Sequence, residues 1–266
     1  MNKFTDIKIS MDNLVAIVEI CRPPHNFFDL SLILQIAEAF ETLDQDSNCR
    51  AIVLASEGKA FCAGANFGSG QAGNSGSGEF TEKGFQNTTG KLYSEATRLF
   101  RSLKPIVAAI QGPAIGGGLG LSMVADFRVG CDSSRFSANF VKLGLHQGFG
   151  ITQTLPLLIG QQKANDMLLS GRRISGQEAL EIGLLDELAP EDKVRQRALA
   201  LAYEISQNAP LAVSSVRSTM RDGIDDQVSE ITKHELAEQQ KLRKTKDAYE
   251  GIKAVSERRR GVFSGI

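Results

Sequence analysis

Cysteine is scarce in this chain: Cys21, Cys49, Cys62 and Cys131 are the only four. They are too scattered for the CxxC pairs of structural zinc sites and too few for a small disulfide scaffold, so they read as reduced thiols in a cytoplasmic protein. An excess of either charge is missing too, since 30 Lys and Arg face 31 Asp and Glu for a net charge of -1. No overall basic field exists to attract nucleic acid or an anionic membrane. No apolar run reaches the roughly 18 residues of a membrane span. The first twenty residues lack a continuous apolar h-region, and the closing VFSGI is not a peroxisomal address. Neither export nor a membrane partner is expected.

Several motifs are absent as well. The chain has no GxxxxGK[ST], no HExxH and no GxSxG. Gly68, Gly70 and Gly73 do form a GxGxxG, but inside the run GSGQAGNSGSG. A dinucleotide turn must end a strand and open a helix, which this stretch does not. No nicotinamide, other cofactor or metal is expected.

What is present is an ordinary globular composition, 42% hydrophobic and 23% charged, with glycine high at 26 residues. Leu14 to Ile20, Arg50 to Ala55, Ile106 to Ile110 and Phe127 to Cys131 read as strands. Between the first two, Leu30, Ile33, Leu34, Ala37 and Phe40 recur at helical spacing, with Asp29 or Ser31 available as N-cap. Strands separated by helices predict an α/β sheet with parallel pairs. After Pro190 the pattern is almost wholly helical, in long amphipathic stretches. The expected division is a core over 1-190 and a helical region over 191-266.

Two segments place small residues just after strands: GKAFCAGAN over 58-66 and QGPAIGGGLG over 111-120. Ligands of open α/β sheets bind outside those strand ends, where small residues let backbone N-H groups approach an oxygen closely. The second segment also opens a helix, whose N-terminus favours developing negative charge. Together two such loops can supply a pair of donors for an oxyanion.

At these residues the chain resembles the crotonase, or enoyl-CoA hydratase/isomerase, superfamily. The likeness extends through PPHNFFD, GKAFCAGAN, KPIVAAIQGPAIGGGLGLSMVADFRV, FVKLGLHQGFG, LLSGRRISGQEALEIGLLDEL and EGIKAVSERRRGVF. It implies a ββα-spiral core with a C-terminal helical trimerisation region, assembled as a homotrimer or dimer of trimers. It also implies an acyl-CoA substrate, with coenzyme A present only as part of that substrate, in reactions such as those of fatty acid metabolism. By the same resemblance the oxyanion hole maps to the N-H groups of Ala65 and Gly117. The CoA-ester path maps to Ala63, Gly64, Ala65, Asn66, Phe67, Gly68, Gly117 and Phe140. Basic C-terminal residues such as Arg258, Arg259 and Arg260, with Phe263 nearby, fall where the family approaches the CoA phosphates.

The chain departs from the family at both catalytic carboxylates. The positions of the two hydratase glutamates are Gly120 and Phe140, and Phe136 and Leu143-Gly144 fix the register on either side. Hydration needs one group to activate water and one to deliver a proton, and neither residue can do so. Glutamates introduced at both positions are expected to restore it. His146, in LGLHQGFG, is the candidate replacement base, since histidine titrates near pH 6.5 and is the commonest general base. A capping or loop role is its other reading. Gln111, Asn139 and Gln147 could orient a water, and Glu79, Glu82 or Glu95 could approach the pocket. Besides a hydratase/isomerase with an unusual base, the sequence leaves open a CoA-ester or carbon-carbon hydrolase, a decarboxylase, and a non-catalytic acyl-CoA-binding homologue.

Overall fold

A computed structural model describes residues 4-66 and 86-266. The fold is a spiral built on two sheets, between which the chain passes back and forth after its first four strands. The larger sheet has the order β1-β2-β3-β4-β6-β9, from β1 (Ile7–Asp12), β2 (Val15–Ile20), β3 (Ala51–Ser56), β4 (Ile106–Ile110), β6 (Phe127–Gly130) and β9 (Glu187–Leu188). The smaller contains β5 (Pro113–Ile115), β7 (Arg135–Ser137) and β8 (Ile174–Ser175). Among the described residues only β1 with β2 and β7 with β8 pair antiparallel. The structure is thus the mixed α/β fold with a helical C-terminal region that the sequence implies.

Side-chain size along the central strands decides what packs where. On β3, Ile52 and Leu54 point into the main core, while Ala51, Val53 and Ala55 face the opposite side. On β4, Ile106 and Ile110 share the first face, and Val107 and Ala109 the second. The bulky face receives α1 (Leu30–Asp44), which buries Leu32, Ile33, Ile36 and Phe40, and whose N-cap Asp29 accepts from Leu32 N at 3.0 Å. The small-residue face receives α7 (Val194–Ser206) through Val194, Ala198 and Ala202. Strands covered on both sides need no polar alternation, which is why β3 and β4 are buried throughout.

The remaining helices are α2 (Lys91–Leu99), α3 (Gly117–Ser122), α4 (Ile151–Ile159), α5 (Gln161–Ser170), α6 (Gly176–Glu181), α8 (Pro210–Met220), α9 (Ile224–Leu242) and α10 (Lys246–Ser256). A 3-10 turn, Asn139–Leu143, lies under α10, where Gly251 leaves no room for a side chain against Leu143. No residue of α8 is buried. Asp126 ties this helix to the sheet, accepting from Arg217 Nε at 2.8 Å, Arg221 at 3.1 Å and Ile106 N at 2.8 Å. All four cysteines are free thiols. Among the described residues no helix is long and apolar enough to cross a membrane.

Candidate active site

The two glycine-rich loops leave the C-terminal ends of the adjacent parallel strands β3 and β4 and are stitched together. Cys62 N donates to Pro113 O and Ile115 N donates back to Cys62 O, both at 3.0 Å, a one-residue parallel bridge between Cys62 and Ala114. Gly64 follows with φ +82°, and a Cβ there would stand 2.7 Å from Ile115 O and 3.9 Å from Gly117 N. Glycine is needed on both counts. On the second loop Gly116, at φ +56°, turns the chain into α3, so that Gly117 is its first residue and its N-H has no intrahelical acceptor. Among the described residues no hydrogen-bond acceptor is recorded for the N-H of Ala65 or of Gly117.

The remaining residues of the inferred CoA path begin at the same place: Ala63 is half-buried, Gly64 buried, and Ala65 and Asn66 exposed. Phe67 and Gly68 lie outside the described residues, as do Glu79, Glu82 and the GxGxxG run. Cys62 is no nucleophile, because burial pushes its thiol up to about 12.

Phenylalanine rings surround the second loop. Phe28, whose N-H donates to Gly64 O at 3.1 Å, sets ring carbons 2.2 Å from where a Cβ on Gly117 would be. Phe140 Cε2 would lie 3.6 Å, and Asn139 Oδ1 3.2 Å, from a Cβ on Gly116. Phe149 places Cδ1, Cβ and Cγ within 2.7 to 2.8 Å of a Cβ on Gly120. Phe28 and Phe149 touch edge to face, with centroids 5.8 Å apart. The expectation that glutamates at 120 and 140 alone would restore hydration is therefore corrected: a side chain at Gly120 collides with Phe149. Phe28 and Phe149 were not singled out in the sequence. The available signal was an aromatic residue caught between two glycines, Gly148 and Gly150.

Several polar candidates serve the scaffold. Gln111 Nε2 donates to Ser56 O at 3.1 Å and Gly58 O at 3.0 Å, clamping the first loop. Asn26 reinforces it, donating to Glu57 O and Ala60 O at 2.7 Å each. Gln147 Nε2 donates to Leu168 O at 2.9 Å and Ala138 O at 3.3 Å. Glu95 pairs with Arg98, and Arg259 with Glu250 and Glu257. Glu19, Cys21 and Glu57 draw together elsewhere, but Glu19 pairs with Arg195, and Glu57 with Lys8 at 2.7 Å.

His146 is half-buried on the loop after the 3-10 turn, with its ring edge-on to His234 of α9 at 5.9 Å. Its Nδ1 is 3.0 Å from Gln147 O. A carbonyl only accepts, so that bond puts the proton on Nδ1 and leaves Nε2 as the basic nitrogen. Gln239 of α9 fixes the loop backbone, donating to His146 O at 2.9 Å and Gln147 O at 3.1 Å.

Fold and loops together define an α/β spiral protein whose candidate site lies at the sheet's C-terminal edge. The family model for enoyl-CoA hydratase/isomerase matches residues 10–265. A protein of Bacillus subtilis strain 168 described as a probable enoyl-CoA hydratase is 30% identical over 264 residues, covering 97% of this chain and 98% of that one. The 2,3-dehydroadipyl-CoA hydratase of Escherichia coli K12 is 27% identical over 263 residues, covering 98% and 99%. The crystal structure of an enoyl-CoA hydratase/isomerase from Pseudoalteromonas atlantica T6c superposes with a TM-score of 0.84 at 27% identity, over 98% of this chain and 100% of the other. The chain belongs to the enoyl-CoA hydratase/isomerase family of enzymes.

Proposed function

We propose that this enzyme acts on an acyl-CoA thioester by holding the carbonyl oxygen between the N-H groups of Ala65 and Gly117. The observation that supports this reading is the close approach of the two loops at Gly64, the residue before Ala65, where an added Cβ would stand 2.7 Å from Ile115 O and 3.9 Å from Gly117 N. Two such N-H donors, that of Gly117 at the start of α3, stabilise the negative charge of an enolate or tetrahedral adduct. Coenzyme A enters as part of the substrate, along Ala63 to Gly68 and past Phe140, and no further cofactor or metal takes part.

Glycine and phenylalanine at the family's glutamate positions favour an acid/base other than the usual pair. His146 is the residue we assign, its Nε2 left basic by the bond from Nδ1 to Gln147 O. Enolate chemistry with such a base serves a double-bond shift, a hydration, or cleavage of a CoA ester or carbon-carbon bond. The enzyme works as a cytoplasmic homotrimer or dimer of trimers in this reading.

A turnover screen against crotonyl-, 3-enoyl-, 3-keto- and malonyl-type CoA esters, followed by mass spectrometry, tests it. Hydrated or isomerised product places the enzyme with its relatives, and loss of CoA or carbon dioxide places it among hydrolases or decarboxylases. Binding without turnover by any of these esters would reject the catalytic reading. His146→Ala should sharply lower the native rate while sparing CoA-ester binding.

A further inference from the structure

A groove of about 910 Å³ opens between α4, α7, α8 and the start of β6. Small-molecule sites of roughly 300 to 1,000 Å³ combine apolar walls with a few polar groups, and this groove has both. Its wall holds Met123, which is buried, and Leu158, Ile205 and Val213, which are half-buried, beneath an exposed rim at Leu157 and Val216. Its charged lining is Asp126, Arg128, Arg217, Arg221 and Asp222. Arg128 is taken up by Leu184 O at 2.8 Å, Ala125 O at 2.7 Å and Asp186 at 3.4 Å. Arg217 and Arg221 share the single carboxylate of Asp126. Asp222 is exposed, and among the described residues it has no recorded ion pair with either.

Two guanidinium groups on one carboxylate leave donors over. Arg217 is 10% exposed along its side chain, and its Nη2 is buried without an acceptor. Arg221 gives Nη1 to Asp126, but its Nε is buried without an acceptor, and none among the described residues is recorded for its Nη2. Nε and Nη2 form the side of a guanidinium that takes a carboxylate through two parallel hydrogen bonds. Burial holds the Arg221 guanidinium below its ordinary value and Arg217 beside it pushes the same way, against the pull of Asp126. An anion at this edge would satisfy both deficits, in hydrogen bonds and in charge.

We propose that the groove binds an aliphatic monocarboxylate of medium chain length, with its carboxylate on the unpaired edge of Arg221 and its chain along Met123, Leu158, Ile205 and Val213. One carboxylate matches the one positive charge by which Arg217 and Arg221 exceed Asp126, and the wall supplies apolar contact for the chain. None of the described residues lining the groove belongs to the candidate active site, so this inference stands apart from the acyl-CoA reading.

The test is calorimetric titration of wild type, Arg221→Lys and Val213→Trp with octanoate, 1-octanol and acetate. Wild type should bind octanoate, and 1-octanol and acetate each at least about tenfold more weakly. Arg221→Lys keeps the charge beside Asp126 but removes the two-nitrogen edge. It should weaken octanoate at least about tenfold and leave 1-octanol within about twofold. Val213→Trp fills the groove and should weaken octanoate and 1-octanol together, by about tenfold or more. Wild type that fails to bind octanoate, or that binds 1-octanol or acetate equally well, overturns the proposal, and so does octanoate binding unchanged in Arg221→Lys. Should the lysine variant not fold, Val213→Trp decides, and undiminished octanoate binding there overturns the proposal.

Discussion

Gly120 and Phe149 compete for one volume, so chemistry at 120 depends on bulk at 149. Gly120→Glu alone should lower the melting temperature and confer no hydration. The triple variant Phe140→Glu, Gly120→Glu, Phe149→Ala should gain crotonyl-CoA hydration, measured by loss of enoyl absorbance. Position 140 is half-buried, and partial burial raises an introduced carboxyl toward the range useful for proton transfer. A folded triple variant without hydration would mean that the register at 120 and 140 is wrong. At Gly117 the informative pair is proline against alanine. Both push on the Phe28 ring, but only proline deletes the N-H, and at the first position of a helix proline is otherwise well tolerated. Gly117→Pro should turn over about a hundredfold to a thousandfold more slowly than Gly117→Ala. Equal rates in the two would move the oxyanion site elsewhere.

Among the elements, α4 and α9 are joined by one buried carboxylate. Glu235 of α9 accepts from Gly150 N at 2.7 Å and from Thr152 N at 3.1 Å, capping α4 from outside its own chain segment. Burial holds its carboxyl above the ordinary value of 4.5, against the opposing pull of these hydrogen bonds and of His146. A raised carboxyl binds its proton more tightly in the folded state. Its contribution is therefore full below about pH 4.5 and declines as pH rises through the raised value. Glu235→Gln should remove that decline from a plot of melting temperature against pH, while costing about 1 to 3 kcal/mol for a backbone N-H left facing an amide. An unchanged slope would show that Glu235 does not titrate in this range.

The sequence made long or strongly periodic elements legible, among them β2, β3, β4, α1 and the C-terminal helices, because burial on one or two faces leaves a pattern. It hid β5, β7 and β8, two or three residues each, whose partners lie far along the chain. It also hid β1, an edge strand buried only at Ile7. The paired loops could be read from their glycines. The Phe149 contact could not, since it joins residues 29 positions apart whose meeting depends on how α3 and α4 pack.

For the molecule as a whole, the exposed face of α8 is the main unfinished surface. Leu211, Val216 and Met220 are 85%, 60% and 81% exposed, and Leu157 across the groove is 64% exposed. The groove is apolar, about 910 Å³, and runs between α4, α7, α8 and the start of β6. A large exposed apolar surface of this kind suits association with further copies of the chain. Light scattering should find a trimer or hexamer, and Leu157→Glu with Met220→Glu should shift it toward the 28.7 kDa monomer. A monomeric wild type at micromolar concentration would reject that assembly. The shared volume of Gly120 and Phe149 also bears on evolutionary access between site types. Adding an acid at 120 first meets a blocked position, so a lineage has to shrink Phe149 first, leaving a cavity that costs about 3 to 5 kcal/mol. That is a large part of a typical margin of roughly 5 to 15 kcal/mol. The aromatic and two-carboxylate sites are therefore separated by a valley in stability, and the order of substitutions decides whether it can be crossed.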